Sequence, residues 1–390
     1  MHIIITSPME NKRLRLVYLT PSLYIAGGVE RVLTLKANYL ADHFDYDVTI
    51  VLTDGGDKPF FYPLSDKVRV VQLDIGFEEL WKLSFLRKIP IYLRKQREYR
   101  RKLTACLMEL RPDVTVSLLR REINFLCSIK DGSKKVGELH VNRANYRNFE
   151  ATDSNWMKRL FARYWMRSLV EKLRRLDRFV VLTHEDAEAW PELDNLEVIP
   201  DPLSFRPDTV SKLTEKRVIA VGRYVYQKGF DLLLQAWANV EKKCPDWQLD
   251  VYGAGNREPY ERQMQQLGID SLRCRLNGPV DNIQSAYLKS SLMVFSSRFE
   301  GFGMVLVEAM ACGLPVVSFA CPCGPKDIVS DGIDGLLVTP GNTDQLASAI
   351  IQMISDDGRR REMAIRAIEK SRMFDLPTLA ERWKKLFETI

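Results

Sequence analysis

Residues 292–317 read LMVFSSRFEGFGMVLVEAMACGLPVV. Leu292–Phe295 is a short, wholly apolar run of the kind that forms a strand buried on both faces. Gly301 and Gly303 bracket Phe302 in a turn. A helix then begins near Met304 and stops at Gly313-Leu314-Pro315, because glycine and proline end helices. The next apolar run follows at once. Strand, glycine turn, helix and strand in this order make a βαβ unit, and the unit recurs along the chain.

In the first half the strand candidates are Leu14–Thr20, Val48–Thr53, Val68–Leu73, Val114–Leu118, Lys135–Leu139, Phe179–Leu182 and Glu197–Ile199. In the second they are Arg217–Val221, Gln248–Tyr252, Cys274–Leu276, Leu292–Phe295, Pro315–Phe319 and Gly335–Val338. Helix-length segments with apolar residues at helical spacing intervene, among them Val29–Phe44, Trp156–Leu176, Phe230–Lys243 and Val305–Cys312. The alternation predicts an α/β protein with parallel sheets. Pro200-Asp201-Pro202 and the charged run to Lys216 read as a linker. About six strands on each side give two doubly wound, Rossmann-like domains: 1–200 together with a last helix at 375–390, and 201–374. Such sheets bind ligands beyond the carboxyl ends of their strands.

Among 390 residues, 46% are hydrophobic and 28% charged, as expected of a globular protein with a full core. No apolar run approaches the roughly 20 residues that cross a bilayer. The start, MHIIITSPMENKRLR, has no basic region before its apolar piece and no cleavage pattern, so no signal peptide is expected. Seven scattered cysteines fit reduced thiols in the cytoplasm. The net charge of +6 sits wholly in residues 1–200, which hold 33 Lys+Arg against 27 Asp+Glu. An anionic partner would therefore meet the first half. Lys82–Lys102 carries nine cations interleaved with Leu83, Phe85, Leu86, Ile89, Ile91, Tyr92 and Leu93. Trp156–Arg178 is similar, with Trp156, Phe161, Tyr164 and Trp165. Both are candidates for an anionic membrane surface. No nucleic-acid motif is present, and no nucleic-acid partner is expected.

The chemistry concentrates at the carboxyl ends of the strands. The unpaired N–H groups at Gly303, Met304 and Val305, with the helix dipole behind them, suit a diphosphate. Glu300 on the loop and Glu308 inside the helix would repel phosphate but accept hydrogen bonds from sugar hydroxyls. In VGRYVYQKGF, Arg223 and Lys228 flank a turn between a strand and a helix, a fork and a point charge for phosphate oxygens. Thr20-Pro21-Ser22 leads to Ile25-Ala26-Gly27-Gly28-Val29, where glycines allow close approach to a ligand.

E-x7-E between strand and helix, followed by AM-x-C-G-x-P-V, resembles the retaining glycosyltransferases of family 4, which have the GT-B fold. Arg223 and Lys228 resemble that family's diphosphate-binding pair, and Gly27-Gly28 its first glycine loop. Gly253 in YGAG is similar to the turn under the nucleotide, and Asn277-Gly278-Pro279-Val280 to the segment touching the base. Asp201 stands where the family often has asparagine. CPCGPKD (321–327) resembles the run of members using galactose-type or N-acetylhexosamine donors, with Asp327 for the usual glutamate. His140, after Glu138-Leu139, corresponds to a histidine facing the donor sugar or the acceptor; on the residues alone, Glu138 is as able to reach.

The resemblance covers nearly the whole chain. It implies two domains facing a cleft, Gly28 across that cleft from the second-domain motif, and the last helix returning to the first domain. It also implies transfer of a hexose or N-acetylhexosamine from a nucleotide-sugar, expected to be a UDP-sugar, to a glycan or lipid-linked acceptor, in biosynthesis of a surface polysaccharide or lipopolysaccharide. Glu300, Lys228, Arg223 and His140 would act at the reacting centre. Gly27, Gly28, Gly253, Val280, Gly301, Phe302, Gly303, Met304, Val305 and Glu308 would complete the donor site, Glu308 on the ribose. No cofactor and no metal are expected: Asp45-Tyr46-Asp47 spells a metal-binding D-x-D but precedes its strand. The expected location is cytoplasmic, peripheral on the inner face of the membrane. The rival readings are a GT-B-fold epimerase of nucleotide-sugars and a non-catalytic donor-binding subunit.

Overall fold

The structure is a computed structural model and describes residues 13–82, 84–148 and 156–390. The apolar start of the chain, Leu83, and the side chains of Lys82, Phe85, Leu86 and Phe161 lie outside the described residues. The first seven strands are β1 (Arg15–Thr20), β2 (Asp47–Leu52), β3 (Arg69–Gln72), β4 (Val114–Ser117), β5 (Lys134–Glu138), β6 (Arg178–Val181) and β7 (Leu196–Val198). They form one sheet in the order β3-β2-β1-β4-β5-β6-β7. Between them lie α1 (Gly28–His43), α2 (Phe85–Leu110), α3 (Trp156–Leu173) and α4 (His184–Glu188).

The second sheet has six strands: β8 (Arg217–Val221), β9 (Gln248–Tyr252), β10 (Cys274–Asn277), β11 (Leu292–Phe295), β12 (Val316–Phe319) and β13 (Gly335–Val338). Their order is β10-β9-β8-β11-β12-β13, with every pair parallel. The connecting helices are α5 (Phe230–Lys243), α6 (Glu258–Leu267), α7 (Ile283–Leu288), α8 (Met304–Ala311) and α9 (Pro325–Ile328). Three more, α10 (Thr343–Ser355), α11 (Asp357–Ser371) and α12 (Leu376–Thr389), close the chain. The strand expectations hold to within a residue at nearly every end. The first sheet has seven strands, one for each of the seven candidates of the first half.

By compactness the chain divides into two units. One is Met1–Glu138, Ser168–Phe179 and Leu386–Ile390; the other is Leu139–Arg167 and Val180–Lys385. The last turn of α12 thus belongs with the first unit, where Tyr46 Oη donates to Glu388 Oε1 at 3.3 Å. In the second unit β11 and β12 are buried at every residue, as strands covered on both faces must be. Leu233, Leu234, Trp237 and Val240 of α5, with Leu346, Ile350 and Met353 of α10, join one continuous core. Burying large aromatic and aliphatic side chains in this way contributes roughly 1.5–3 kcal/mol each before entropy is counted.

The seven cysteines are free thiols. Burial pushes those of Cys312 and Cys323 up to about 12. Asp45-Tyr46-Asp47 carries ion pairs, Arg13 to Asp45 at 2.7 Å and Arg69 to Asp47 at 2.7 Å.

Candidate functional site

In each sheet the strand order reverses once, between β1 and β4 and between β8 and β11. The loops leaving these neighbours run to opposite sides and leave a crevice at the carboxyl edge. In the first unit Gly27 and Gly28 stand there: Gly27 is the N-cap of α1 and Gly28 its first residue. In the second unit the crevice is bounded by residues 222–229 after β8 and 296–303 after β11.

These two second-unit loops are bolted together. Arg298 forks onto Asp231 at 2.8 and 2.6 Å and donates to Tyr226 O at 2.8 Å. Arg298 N donates to Gln227 O at 2.8 Å, and Ser296 Oγ to Lys228 O at 2.9 Å. A Cβ on Gly229 would lie 2.1 Å from Ser296 O, and its φ of +61° is left-handed. Glycine is therefore required where the backbones touch.

The bolted loops present Lys228 and Glu300 to each other, Nζ to Oε1 at 2.7 Å, with side chains 15% and 7% exposed. Gln227 Nε2 donates to Phe299 O at 3.0 Å and approaches Glu300 Oε2 at 3.4 Å. Asn142 Nδ2, buried, donates to Glu300 O at 2.7 Å. Arg223 is exposed, and its guanidinium has no hydrogen-bond or ion-pair partner among the described residues. Gly303 caps α8, so Met304 and Val305 open that helix with N–H groups that have no acceptor inside it. Gly301 and Phe302 complete the turn. A Cβ on Gly301 would lie 2.2 Å from His140 O, so the His140 backbone packs directly on this turn.

Further along the edge, Gly253 follows β9 and its N–H donates to Asn277 O at 3.3 Å. Tyr224 Oη donates to Asn277 O at 2.9 Å. Val280 is 44% exposed just beyond.

Glu308 is buried in α8. Its Oε1 accepts from Ser204 Oγ at 2.5 Å and its Oε2 from Tyr287 Oη at 3.3 Å. The Ser204 hydroxyl is an O–H donor to this buried carboxylate.

His140 Nδ1 lies 3.3 Å from Asp201 Oδ1, both side chains buried. This gives Asp201, the departure from asparagine, a partner. Glu138, the other candidate, is tied within the first unit to Lys36 Nζ, both oxygens at 2.5 Å. Asp327 accepts from His184 N at 2.7 Å, where α4 begins. Glu185 takes Cys323 N at 2.7 Å and Lys326 Nζ at 2.6 Å. Residues 321–327 are thereby clamped to α4.

A hollow of about 600 Å³ lined by Lys216, Trp247 and Arg360 lies at the amino ends of β8 and β9, the edge away from this chemistry. Arg360 donates there to Met353 O and Ile354 O, a structural role.

The structure thus brings Lys228, Glu300, Gly301 and His140 together and sets Arg223, Gly253, Val280 and Glu308 on the same unit. It adds Gln227, Asn142, Arg298, Asp231, Ser204 and Tyr287. Of these Gln227 and Arg298 lie inside the motif stretches already quoted, and Asp231 opens the helix expected over Phe230–Lys243.

Residues 203–370 match the family of glycosyl transferases group 1. A glycosyltransferase of Haemophilus influenzae whose specificity is uncharacterised is 27% identical over 365 residues, 92% of this chain and 96% of that protein. The amylovoran biosynthesis glycosyltransferase AmsD of Erwinia amylovora is 25% identical, over 95% and 99% of the two chains. Among solved structures, a mutant of S. aureus TarM in complex with Fondaparinux, alpha-GlcNAc-glycerol and UDP superposes with a TM-score of 0.75 at 15% identity, covering 96% of this chain and 100% of that one. Anabaena HepE in complex with UDP does so with a TM-score of 0.72 at 20% identity, covering 97% and 100%. Residues 203–370 are a group 1 glycosyl transferase domain. The chain is a glycosyltransferase with the two-domain α/β GT-B fold.

Proposed function

We propose that this enzyme moves a hexose or N-acetylhexosamine, with retention of configuration, from a UDP-sugar to a glycan or lipid-linked acceptor in the biosynthesis of a surface polysaccharide. The observation that carries the reading is the Lys228–Glu300 pair in the switch crevice of the second sheet, with the uncommitted cation Arg223 five residues away and the start of α8 beside it. TarM and HepE, whose fold the chain shares, bind UDP. AmsD acts in amylovoran biosynthesis, and a Campylobacter jejuni relative transfers N-acetylgalactosamine to an undecaprenol-linked glycan.

In the reaction the bond from the sugar's anomeric carbon to the diphosphate oxygen breaks, and its electron pair stays on that oxygen. Arg223, Lys228 and the N–H groups of Met304 and Val305 stabilise the charge as it develops. One Lys228 N–H remains on Glu300; the ammonium has two more. Glu300 accepts sugar hydroxyls, and Glu308 takes the ribose hydroxyls in place of Ser204. The acceptor oxygen bonds to the anomeric carbon from the leaving-group face and passes its proton to the departing diphosphate. His140, oriented by Asp201, donates to a sugar hydroxyl. With two cations and a helix start on the diphosphate, no metal is needed. UDP at 100 times its dissociation constant should raise folding stability by about 2.7 kcal/mol, read as a rise in melting temperature that survives excess chelator. A shift that needs added divalent ion would refute the metal-free site.

The acceptor end of the reading extends to a membrane surface, supported by α3. Trp156, Leu160 and Tyr164 are 66%, 59% and 73% exposed at four-residue spacing, one face of the helix, with Arg163 and Arg167 exposed beside them. α2 offers less than its composition suggests. Lys95 is turned inward to Ile75 O at 2.6 Å, and Lys102 to Leu73 O at 2.7 Å. Flotation with phosphatidylglycerol vesicles, but not with phosphatidylcholine, is expected for the whole chain. Trp156→Ala with Tyr164→Ala should abolish it; flotation unaffected by the pair would remove α3 from the surface.

A further inference from the structure

The loop after β2 carries an exposed aromatic run that donor binding does not use. Residues 54–62 read DGGDKPFFY. Thr53 N and Asp54 N donate to Pro21 O at 3.1 and 2.8 Å, and Phe61 N to Leu23 O at 2.9 Å. These bonds lay the loop alongside the segment that leads from β1 into Gly27 and Gly28. Phe60 and Phe61 are 40% and 57% exposed, and Ile25 on the neighbouring segment is 43% exposed. Phe61 meets Tyr62 edge to face at 5.0 Å. The Arg31 guanidinium lies 5.3 Å from the Tyr62 ring centre, in the first turn of the helix that Gly28 opens. Two neighbouring rings left open at the ligand edge of a sheet mark an interaction site more than a packing accident.

Beside the rings is a built polar cluster. The Glu78 carboxylate accepts from Tyr24 Oη and, at 3.1 Å, from Lys58 Nζ. Lys58 stands 3.9 Å over the Tyr24 ring. Buried Asp54 accepts from Thr53 Oγ1 at 2.7 Å and from Glu78 N at 3.1 Å, fixing the cluster to the loop. Asp54, Asp57 and Glu78 outnumber Lys58 and Arg31, so the patch lacks the basic field that anionic lipid or free phosphate would require. A neutral pyranose fits better. Its C–H face is complementary to the negative face of an aromatic ring, and its hydroxyls can both donate to a carboxylate and accept from an ammonium.

We propose that Phe60 and Phe61 are the platform on which a pyranose ring of the acceptor lies, with Glu78, Lys58 and Tyr24 taking its hydroxyls. This rests on the reading of the enzyme as a transferase to a glycan acceptor. The test is saturation-transfer NMR on the whole chain with UDP bound, using methyl α-glucopyranoside, methyl α-galactopyranoside and methyl N-acetyl-α-galactosaminide as probes. Transfer to ring C–H protons is expected for at least one probe. Phe60→Ala with Phe61→Ala should reduce it about five-fold or more, the order of an aromatic contact, while Phe61→Trp keeps it. The UDP-induced thermal shift should be the same in all three proteins. Its absence from the unaltered chain would count against the donor reading, not against the platform. The platform is overturned if no probe receives saturation, or if the alanine pair leaves the signal intact. It is also overturned if that pair abolishes vesicle flotation while the sugar signal stays.

Discussion

Lys228→Ala is expected to lower transfer about 10²–10³-fold, the usual cost of removing one preorganised group that stabilises developing charge. It should also lower the melting temperature, because it strands the buried Glu300 carboxylate, whose Oε1 now takes Lys228 Nζ at 2.7 Å. Glu300→Gln differs. The amide oxygen can still accept from Lys228, so stability should change little, while the loss of a charged acceptor for sugar hydroxyls should lower transfer strongly. Steady-state rates and thermal melts of both variants, with the UDP shift as a check on the donor site, give the comparison. Near-normal rates in either variant would remove that residue from the reacting centre.

The other large effect is on stability. Lys36 and Glu138 are each 2% exposed, and the ammonium touches both carboxylate oxygens. The Tyr18 ring lies 5.4 Å from Lys36 Nζ. Burial first, and then the Glu138 charge, hold the Tyr18 hydroxyl far above its ordinary range. Lys36→Met or Glu138→Leu alone should cost about 3–5 kcal/mol, since each leaves an uncompensated buried charge. The double substitution should recover most of that loss, because both desolvation penalties disappear together. Urea unfolding of the four proteins completes the cycle; a double variant as unstable as the sum of the singles would mean the two charges do not depend on each other.

The strands were legible because buried parallel strands are written as short apolar runs, and glycine and proline mark their ends. The charged motif residues were legible because a strand end and a helix start fix their place within a few residues. What stayed hidden was set by contacts between distant segments. Nothing about Asn142 announces that it will hold the carbonyl of Glu300, 158 positions away. Ser204 sits in a stretch that reads as a linker, yet its hydroxyl reaches Glu308, and Leu203 N donates to Phe374 O at 2.7 Å. That Glu138 would pair with Lys36 could not be read along the chain, because that partner comes from α1. Lys95 shows the same limit in reverse. Composition makes it one more surface cation, while the fold turns it onto a backbone carbonyl.

The C-terminal helix has a bearing on how such enzymes can be recombined. Its residues up to Lys385 cohere with one unit, and Leu386–Ile390 with the other. Exchanging the first two hundred residues for those of a relative, to graft on a new acceptor preference, would leave the final turn facing foreign side chains and Glu388 without its Tyr46. The transplantable module is discontinuous, and its smallest piece is the last five residues. A chimera should therefore carry both ends of the chain from the same parent, and a purification tag is better placed where it does not extend that final turn.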